Sequence, residues 1–244
     1  MIVLTSTKEK NDSLIKKNPD LALFSFPCIQ YAPPSDNYQA LDQALKKNHE
    51  FEWVFFLSKK AAEVFFERLL SIGGNFFNLS NHLKFAVIGS KTKSFFENEL
   101  NLPVDFMPAK ASSVDFANEF TKQFAFDFHC KFKVLLARSE LASDNFKELI
   151  ESTNNYELVE VPAYNTVEVF EHIDLPCKID YILFTSPSCV VNFYKKTKAM
   201  DLQNIKILSI GAKTSQKINE LYPHCDIQVT TEASLEAMLE LISN

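Results

Sequence analysis

Short runs of β-branched and aromatic residues alternate along the chain with longer segments whose apolar positions recur every three or four residues. "MIVLT" predicts a strand; after a short polar segment, "LALFSFPCIQY" predicts a second, broken by Pro27 and followed by the turn-rich "APPSDN". "FEWVFFLS" predicts a buried strand leading into the helix "KKAAEVFFERLLS", "FAVIG" a strand before a helix from Lys91, and "VDFMPAK" leads to a helix beginning near Ser113. "KVLLARSE" predicts a strand with its own helix, "DNFKELIES", and "YELVEVPAYNTVEVF" a long extended stretch interrupted by Pro162. The order resumes with "YILFTS", a helix from Ser188, "IKILSIG", a helix from Lys213 and "DIQVT". The last helix carries an apolar stripe of Leu235, Met238, Leu239 and Ile242. This alternation predicts an α/β fold whose parallel sheets are covered on both faces.

The pattern repeats. "FFLSKKAAEVFFERL" corresponds to "ILFTSPSCVVNFYKK", "IGSKT" to "IGAKT", and "SSVDFANEF" to "ASLEAMLEL", in the same order. Gly89 precedes Ser113 by 24 residues and Gly211 precedes Ser234 by 23. Two similar domains are expected. Too little chain follows Tyr164 to build a whole domain, so the second copy must be completed by the N-terminal strands. The expected boundaries are residues 1–28 with 168–244 for one domain and 37–157 for the other, joined by extended linkers at 29–36 and 158–167.

Composition narrows the chemistry. Four glycines, Gly73, Gly74, Gly89 and Gly211, are too few to write a Gly-rich phosphate loop or a dinucleotide fingerprint. The five cysteines, Cys28, Cys130, Cys177, Cys189 and Cys225, are odd in number and far apart. They give neither a disulfide framework nor a zinc spacing, and read as reduced, mostly buried small hydrophobes. The five histidines, His49, His82, His129, His172 and His224, stand singly, as surface or capping residues do. A net charge of -6 with only Arg68 and Arg138 as arginines argues against a nucleic-acid surface. No run of about twenty apolar residues and no signal-like N-terminus is present, so a cytoplasmic protein with no membrane partner is expected.

Each Ile-Gly-x-Lys-Thr phrase puts a helix N-terminus, with unpaired N–H groups and a positive dipole end, at the carboxyl edge of a parallel sheet. Open α/β sheets bind ligands at that edge. Ser58 and Ser186 stand in the same relation to their own helices, and Lys59, Lys60, Lys91, Lys213, Thr92 and Thr214 lie nearby. Facing domains would make a cleft suited to a ligand carrying several carboxylates. The plainer reading is that serine and threonine there cap helices and glycine makes the turn.

"FTSPSCVVNF" with "SIGAKT" and the closing "EASLEAMLELI", their counterparts "FLSKKAAEVFF" and "VIGSKT", and "VLLARSE" followed by "VPAYNT" resemble the uroporphyrinogen-III synthase family over nearly the whole chain. The resemblance implies two flavodoxin-like domains joined by a two-stranded linker, an active cleft between them, and no metal or organic cofactor. It implies hydroxymethylbilane, a linear tetrapyrrole with eight carboxylates, as substrate and uroporphyrinogen III as product. Tyr164 matches the family's suspected proton donor, a phenol that keeps its proton at neutral pH; otherwise it is a linker aromatic. Ser58, Lys60, Thr92, Ser186 and Thr214 match substrate-binding positions. Lys60 stands where many relatives carry arginine, so a point charge replaces a bidentate fork. Arg138, in "ARSE", suits substrate contact or structural pairing equally. "LTSTKEK" departs from the more usual Thr-Arg of relatives.

A monomer is expected. Two other readings share these residues: a cofactor-free two-domain binding or sensor module for a small carboxylate ligand, and a degenerate relative acting as an interaction protein. An exposed aromatic patch would favour the last, although "VFFE", "NFFN" and "SFFE" place their rings on or beside helices expected to be packed.

Overall fold

Ten strands among the described residues form two five-stranded sheets. The computed structural model describes residues 1–76, 79, 81–124, 131–142, 145–153, 155–198, 200–230, 232 and 234–243. His129, Cys130 and Phe77, whose roles the sequence suggests, lie outside the described residues. In chain order the strands are β1 (Ile2–Leu4), β2 (Leu23–Ser25), β3 (Ile29–Ala32), β4 (Trp53–Phe56), β5 (Lys84–Val87), β6 (Phe132–Ser139), β7 (Tyr156–Glu168), β8 (Tyr181–Phe184), β9 (Lys206–Ser209) and β10 (Ile227–Val229). The helices are α1 (Lys8–Lys17), α2 (Gln39–Lys46), α3 (Lys59–Ser71), α4 (Ser90–Ser94, continued by a π-helical turn Phe95–Glu99), α5 (Ser113–Gln123), α6 (Phe146–Glu151), α7 (Pro187–Lys196), α8 (Ala212–Leu221) and α9 (Leu235–Ser243).

The chain divides into two compact units, residues 1–31 with 167–244, and residues 32–166. In the first, the sheet order β10-β9-β8-β1-β2 is parallel throughout. Numbered by their place along the chain, these strands run 2-1-3-4-5. In the second, the order is β3-β7-β6-β4-β5, with β4 parallel to β5 and β6, and β6 parallel to β7. Beyond β5, Phe106 adds a parallel bridge to Ala86.

Register exposes how the repeat is completed. Trp53 of β4 pairs with Val134 of β6, and Tyr181 of β8 pairs with Ile2 of β1. With the N-caps Ser58 and Ser186 set against each other, Trp53 stands against Tyr181, so β6 is the counterpart of β1, and Arg138 occupies the position that Ser6 holds in the other unit. The N-terminal strand does complete the copy whose other strands lie at the C-terminal end of the chain.

Each central strand is buried on both faces, which explains its near-continuous apolar run. Val54, Phe56, Phe85, Val87 and Leu135 face one cluster while Trp53, Phe55, Ala86, Val134 and Leu136 face another, the period-two alternation of a pleated strand. In the first unit Val3, Ile182 and Ile207 face one side and Ile2, Leu4, Leu183 and Leu208 the other. The phenylalanines fill these layers. Phe55 packs edge-on against Phe116, Phe120 and Phe146, and Phe66 meets Phe65, Phe76 and Phe96 in the same way. Among the described residues the one large aromatic left strongly exposed is Phe170, at 87% accessibility, so no contiguous aromatic patch is formed there.

Two helices replace segments that the apolar pattern leaves as polar or turn-rich. In α1 the buried side chains Asn11 and Leu14 are one turn apart in an otherwise charged sequence, so the stripe is too thin to register. It is instead held locally: Thr7 caps it by accepting from Lys10 N–H, and the buried Asn11 amide donates to the Leu4 carbonyl at 2.9 Å. α2 is launched by the Asp36 carboxylate, which accepts from Tyr38 and Ala40 N–H groups, and it buries Leu41, Ala44 and Leu45. Pro162 does not interrupt β7. The strand runs through it, with a register shift.

Candidate functional site

The repeated phrases form a matching series of helix N-termini at the carboxyl ends of the strands. Ser58 accepts from Ala61 N–H at 3.2 Å and Ser186 accepts from Cys189 N–H at 3.2 Å. Ser112 accepts from Asp115 N–H at 3.0 Å and Ser234 from Ala237 N–H at 3.1 Å. The plain capping role is therefore present, and two of these hydroxyls also donate within the protein, Ser186 to Cys189 Sγ at 3.2 Å and Ser112 to the Asp115 carboxylate. The helix expected from near Ser113 does begin there, with Ser112 as its cap, and Ser112-x-x-Asp115 has capping-box spacing.

Gly89 and Gly211 are the N-caps of α4 and α8, without a side-chain cap. Their φ values, -164° and 168°, are extended backbone open to any residue. A Cβ at Gly89 would meet Ala111 at an ordinary 3.5 Å, and at Gly211 nothing lies within 4 Å. Neither backbone strain nor crowding demands glycine there.

Thr92 and Thr214 sit one turn on, with backbone N–H groups donating to Gly89 O and Gly211 O at 3.1 Å, and each is only 3% accessible. Lys60 lies in the first turn of α3, in an ion pair with Glu63 at 3.7 Å. Its neighbour Lys59 is bound more tightly, to Glu99 at 2.9 Å, and the hydrogen bond to that carboxylate is the main cause of its raised pKa. Ser186 and Thr214 belong to the first unit, the other candidates to the second.

Within the second unit the structure brings three of the candidates together. A pocket of about 260 Å³ opens where β4, β6 and β7 end, walled by Leu57, Ile88 and Ala142, with Ser58, Arg138 and Tyr164 supplying polar groups. Lys60 and Thr92 are not among its lining residues. Arg138, with a side chain 10% accessible, pairs with Glu160 at 2.8 Å. The Tyr164 hydroxyl lies 3.3 Å from Ser58 Oγ.

The placement of Tyr164 follows from the ladder. Pro162 has no N–H to give, and between Arg138 and Ser139 the register slips, so that Arg138 pairs with Pro162 but Ser139 with Tyr164. Ala163 is the extra residue of a bulge, which re-aims the side chain after it. Val161, Ala163 and Tyr164 all pack against the same cluster, where strict alternation would send Tyr164 to the other face. The ladder resumes through Glu140, whose N–H donates to the Tyr164 carbonyl at 2.8 Å. In the sequence Glu140 is only the last letter of "ARSE", and nothing there signals a role.

The cysteines offer no competing chemistry in the described part of the chain. Burial pushes the thiols of Cys28 and Cys189 up, which keeps them protonated. Cys177 is exposed and Cys225 partly so; all four are free.

The family model described as "Uroporphyrinogen-III synthase HemD" matches residues 20–240. The chain is 28% identical over 251 residues to the porphyrin biosynthesis protein HemD of Ruminiclostridium josui, covering 98% of this chain and 48% of that protein. It thus spans about half the length of that relative. It is 24% identical over 225 residues to the chloroplastic uroporphyrinogen-III synthase of Oryza sativa subsp. japonica, covering 88% of this chain and 70% of the rice protein. Among solved structures, a mutant uroporphyrinogen III synthase from the extremely thermophilic bacterium Thermus thermophilus superposes with a TM-score of 0.65 at 14% identity, covering 100% of this chain and 97% of the other. The uroporphyrinogen-III synthetase of Helicobacter pylori 26695 gives 0.62 at 16%, covering 99% and 97%. At those identities the structures speak for the α/β fold alone; the family match over most of the sequence goes further, and by it the chain belongs to the uroporphyrinogen-III synthase family.

Proposed function

We propose that this chain is a uroporphyrinogen-III synthase, closing hydroxymethylbilane to uroporphyrinogen III with inversion of the last pyrrole ring and loss of one water. The observation that carries this reading is the family match across residues 20–240. The pocket holding Ser58, Arg138 and Tyr164 supports it.

In this reaction the terminal C–O bond breaks as a pyrrole nitrogen pushes electrons toward it, and the departing oxygen takes a proton to leave as water. Tyr164 is the donor of the hydrogen bond to that oxygen, and Ser58, 3.3 Å away, gives the phenol a neighbour that fixes its direction. The resulting azafulvene is attacked by the substituted carbon of the far ring; the spiro intermediate fragments, recloses and loses a proton. No strong acid or nucleophile is required. Holding a flexible chain so that the crowded attack is the nearer one supplies most of the rate, as orientation does generally. Carboxylates of the substrate are bound at the strand ends: Ser58, Lys60, Thr92 and Arg138 in one unit, Ser186 and Thr214 in the other.

The 2-1-3-4-5 strand order supports a flavodoxin-like description of the first unit, and the equivalent places of β6 beside β4 and of β1 beside β8 extend it to the second as a permuted copy. A monomer working in the cytoplasm, on a small molecule and without nucleic acid, belongs to the same proposal. None of the helices among the described residues is long and apolar enough to cross a membrane.

The test is turnover. Adding the protein to freshly generated hydroxymethylbilane is expected to accelerate its disappearance in proportion to enzyme concentration. Binding of uroporphyrinogen III with no such acceleration would replace the synthase by a binding module.

A further inference from the structure

We propose that Glu140 is a positioning residue for Tyr164, holding the bulged end of β7 in the geometry its hydroxyl needs. This rests on the reading of Tyr164 as hydrogen-bond donor to the leaving oxygen. Three segments distant in sequence meet at this one residue. The Glu140 backbone N–H donates to the Tyr164 carbonyl at 2.8 Å, just beyond the register slip. Its carboxylate accepts the Ser35 N–H at 3.2 and 3.3 Å and the Ser35 hydroxyl as well. Ser35 follows Pro33 and Pro34, just beyond β3.

Bulges leave one residue unpaired and loosen the ladder around it. At Pro162 the missing donor loosens it further. A side chain that must be placed immediately after such a defect needs an anchor from outside the strand. Glu140 provides one: its backbone pins Tyr164, and its carboxylate, bound to two donors of Ser35, pins Glu140. Hydrogen bonds to a charged acceptor are the stronger kind. Arg138, two residues earlier, is occupied with Glu160 at 2.8 Å, so the end of β6 is fixed on both sides of the slip.

Glu140→Ala is expected to lower kcat about tenfold while KM stays within about twofold, because a misplaced donor loses orientation without losing binding. Glu140→Gln, which keeps the chain length and one acceptor oxygen, is expected to recover most of the rate. In a Tyr164→Phe background the Glu140→Ala loss should vanish, since there is no hydroxyl left to position; additive losses would overturn the proposal. A second readout does not depend on activity. With the tyrosine ring carbons labelled with carbon-13, and the Tyr164 signal assigned by its absence in Tyr164→Phe, Glu140→Ala should shift or broaden that signal. An unmoved signal overturns the positioning role. A full rate in Tyr164→Phe alone, with the signal still displaced by Glu140→Ala, removes the proton-donor reading and leaves the clasp. Should Glu140→Ala fail to fold, Ser35→Ala removes one donor to the carboxylate and is expected to move the same signal in the same direction.

Discussion

Tyr164 reaches Ser58 because the ladder slips by one residue after Pro162, and that slip is visible in the register but not in the hydropathy of "VEVPAYNT". Its resemblance-based assignment marks the residue; only the pairing shows how it is aimed. Tyr164→Phe is expected to fold with an unchanged melting midpoint and to lose about 10²-fold in kcat, the low end for general-acid help, because the substrate can ionise unaided. A full rate would leave Tyr164 as a packing residue. The two repeated glycines make a contrasting case. Since Gly89 and Gly211 have extended φ and room for a Cβ, Gly89→Ala and Gly211→Ala should cost less than about 1 kcal/mol of stability, the usual N-cap difference. A several-fold rise in KM with stability kept would show that glycine is there for ligand approach. Unchanged KM would show that it is not.

At the scale of elements, capping decides more than apolar periodicity does. The strands and α3, α5, α7 and α9 were legible because they bury dense apolar faces; α1 and α2 were not, because each depends on a few buried side chains and on local hydrogen bonds from Thr7, Asn11 and Asp36. Burial of Thr92 and Thr214 was likewise not legible, since a threonine in a helix's first turn reads the same whether it faces a ligand or the core. Ser186 allows capping and binding to be separated. Ser186→Ala should cost about 1 kcal/mol in stability and Ser186→Gly only a few tenths, as N-cap substitutions do. If its hydroxyl also holds a carboxylate, both variants should raise KM alike; a KM change that tracks stability instead would make the residue a cap only.

Over the whole molecule, two sheets are packed on their faces by apolar side chains, phenylalanine above all in the second unit, and two buried phenols belong to that filling. Burial pushes Tyr156 and Tyr222, one in each unit, up to about 12 from an ordinary 10. A raised folded pKa means that the neutral phenol is favoured in the native state. The stability involved is complete below pH 10 and is lost as pH rises toward 12. Denaturant midpoints measured across that range should fall, and replacing Tyr222 by Phe should flatten the fall; an equal slope in the variant would place the alkaline loss elsewhere. The order of motifs, the repeat and the completion of one copy by the N-terminal strand were all readable in the sequence, because parallel strands buried on both faces leave continuous apolar runs. The selection of Ser58, Arg138 and Tyr164 into one pocket required the register of β4, β6 and β7. The most direct measurement is the isomer composition of the product. The protein is supplied with hydroxymethylbilane, the products are oxidised, and type I and type III porphyrins are separated by chromatography. Type III in proportion to active protein is the expected result; type I alone, the product of unassisted closure, formed in the presence of folded protein, would contradict the assignment of this chain as a synthase.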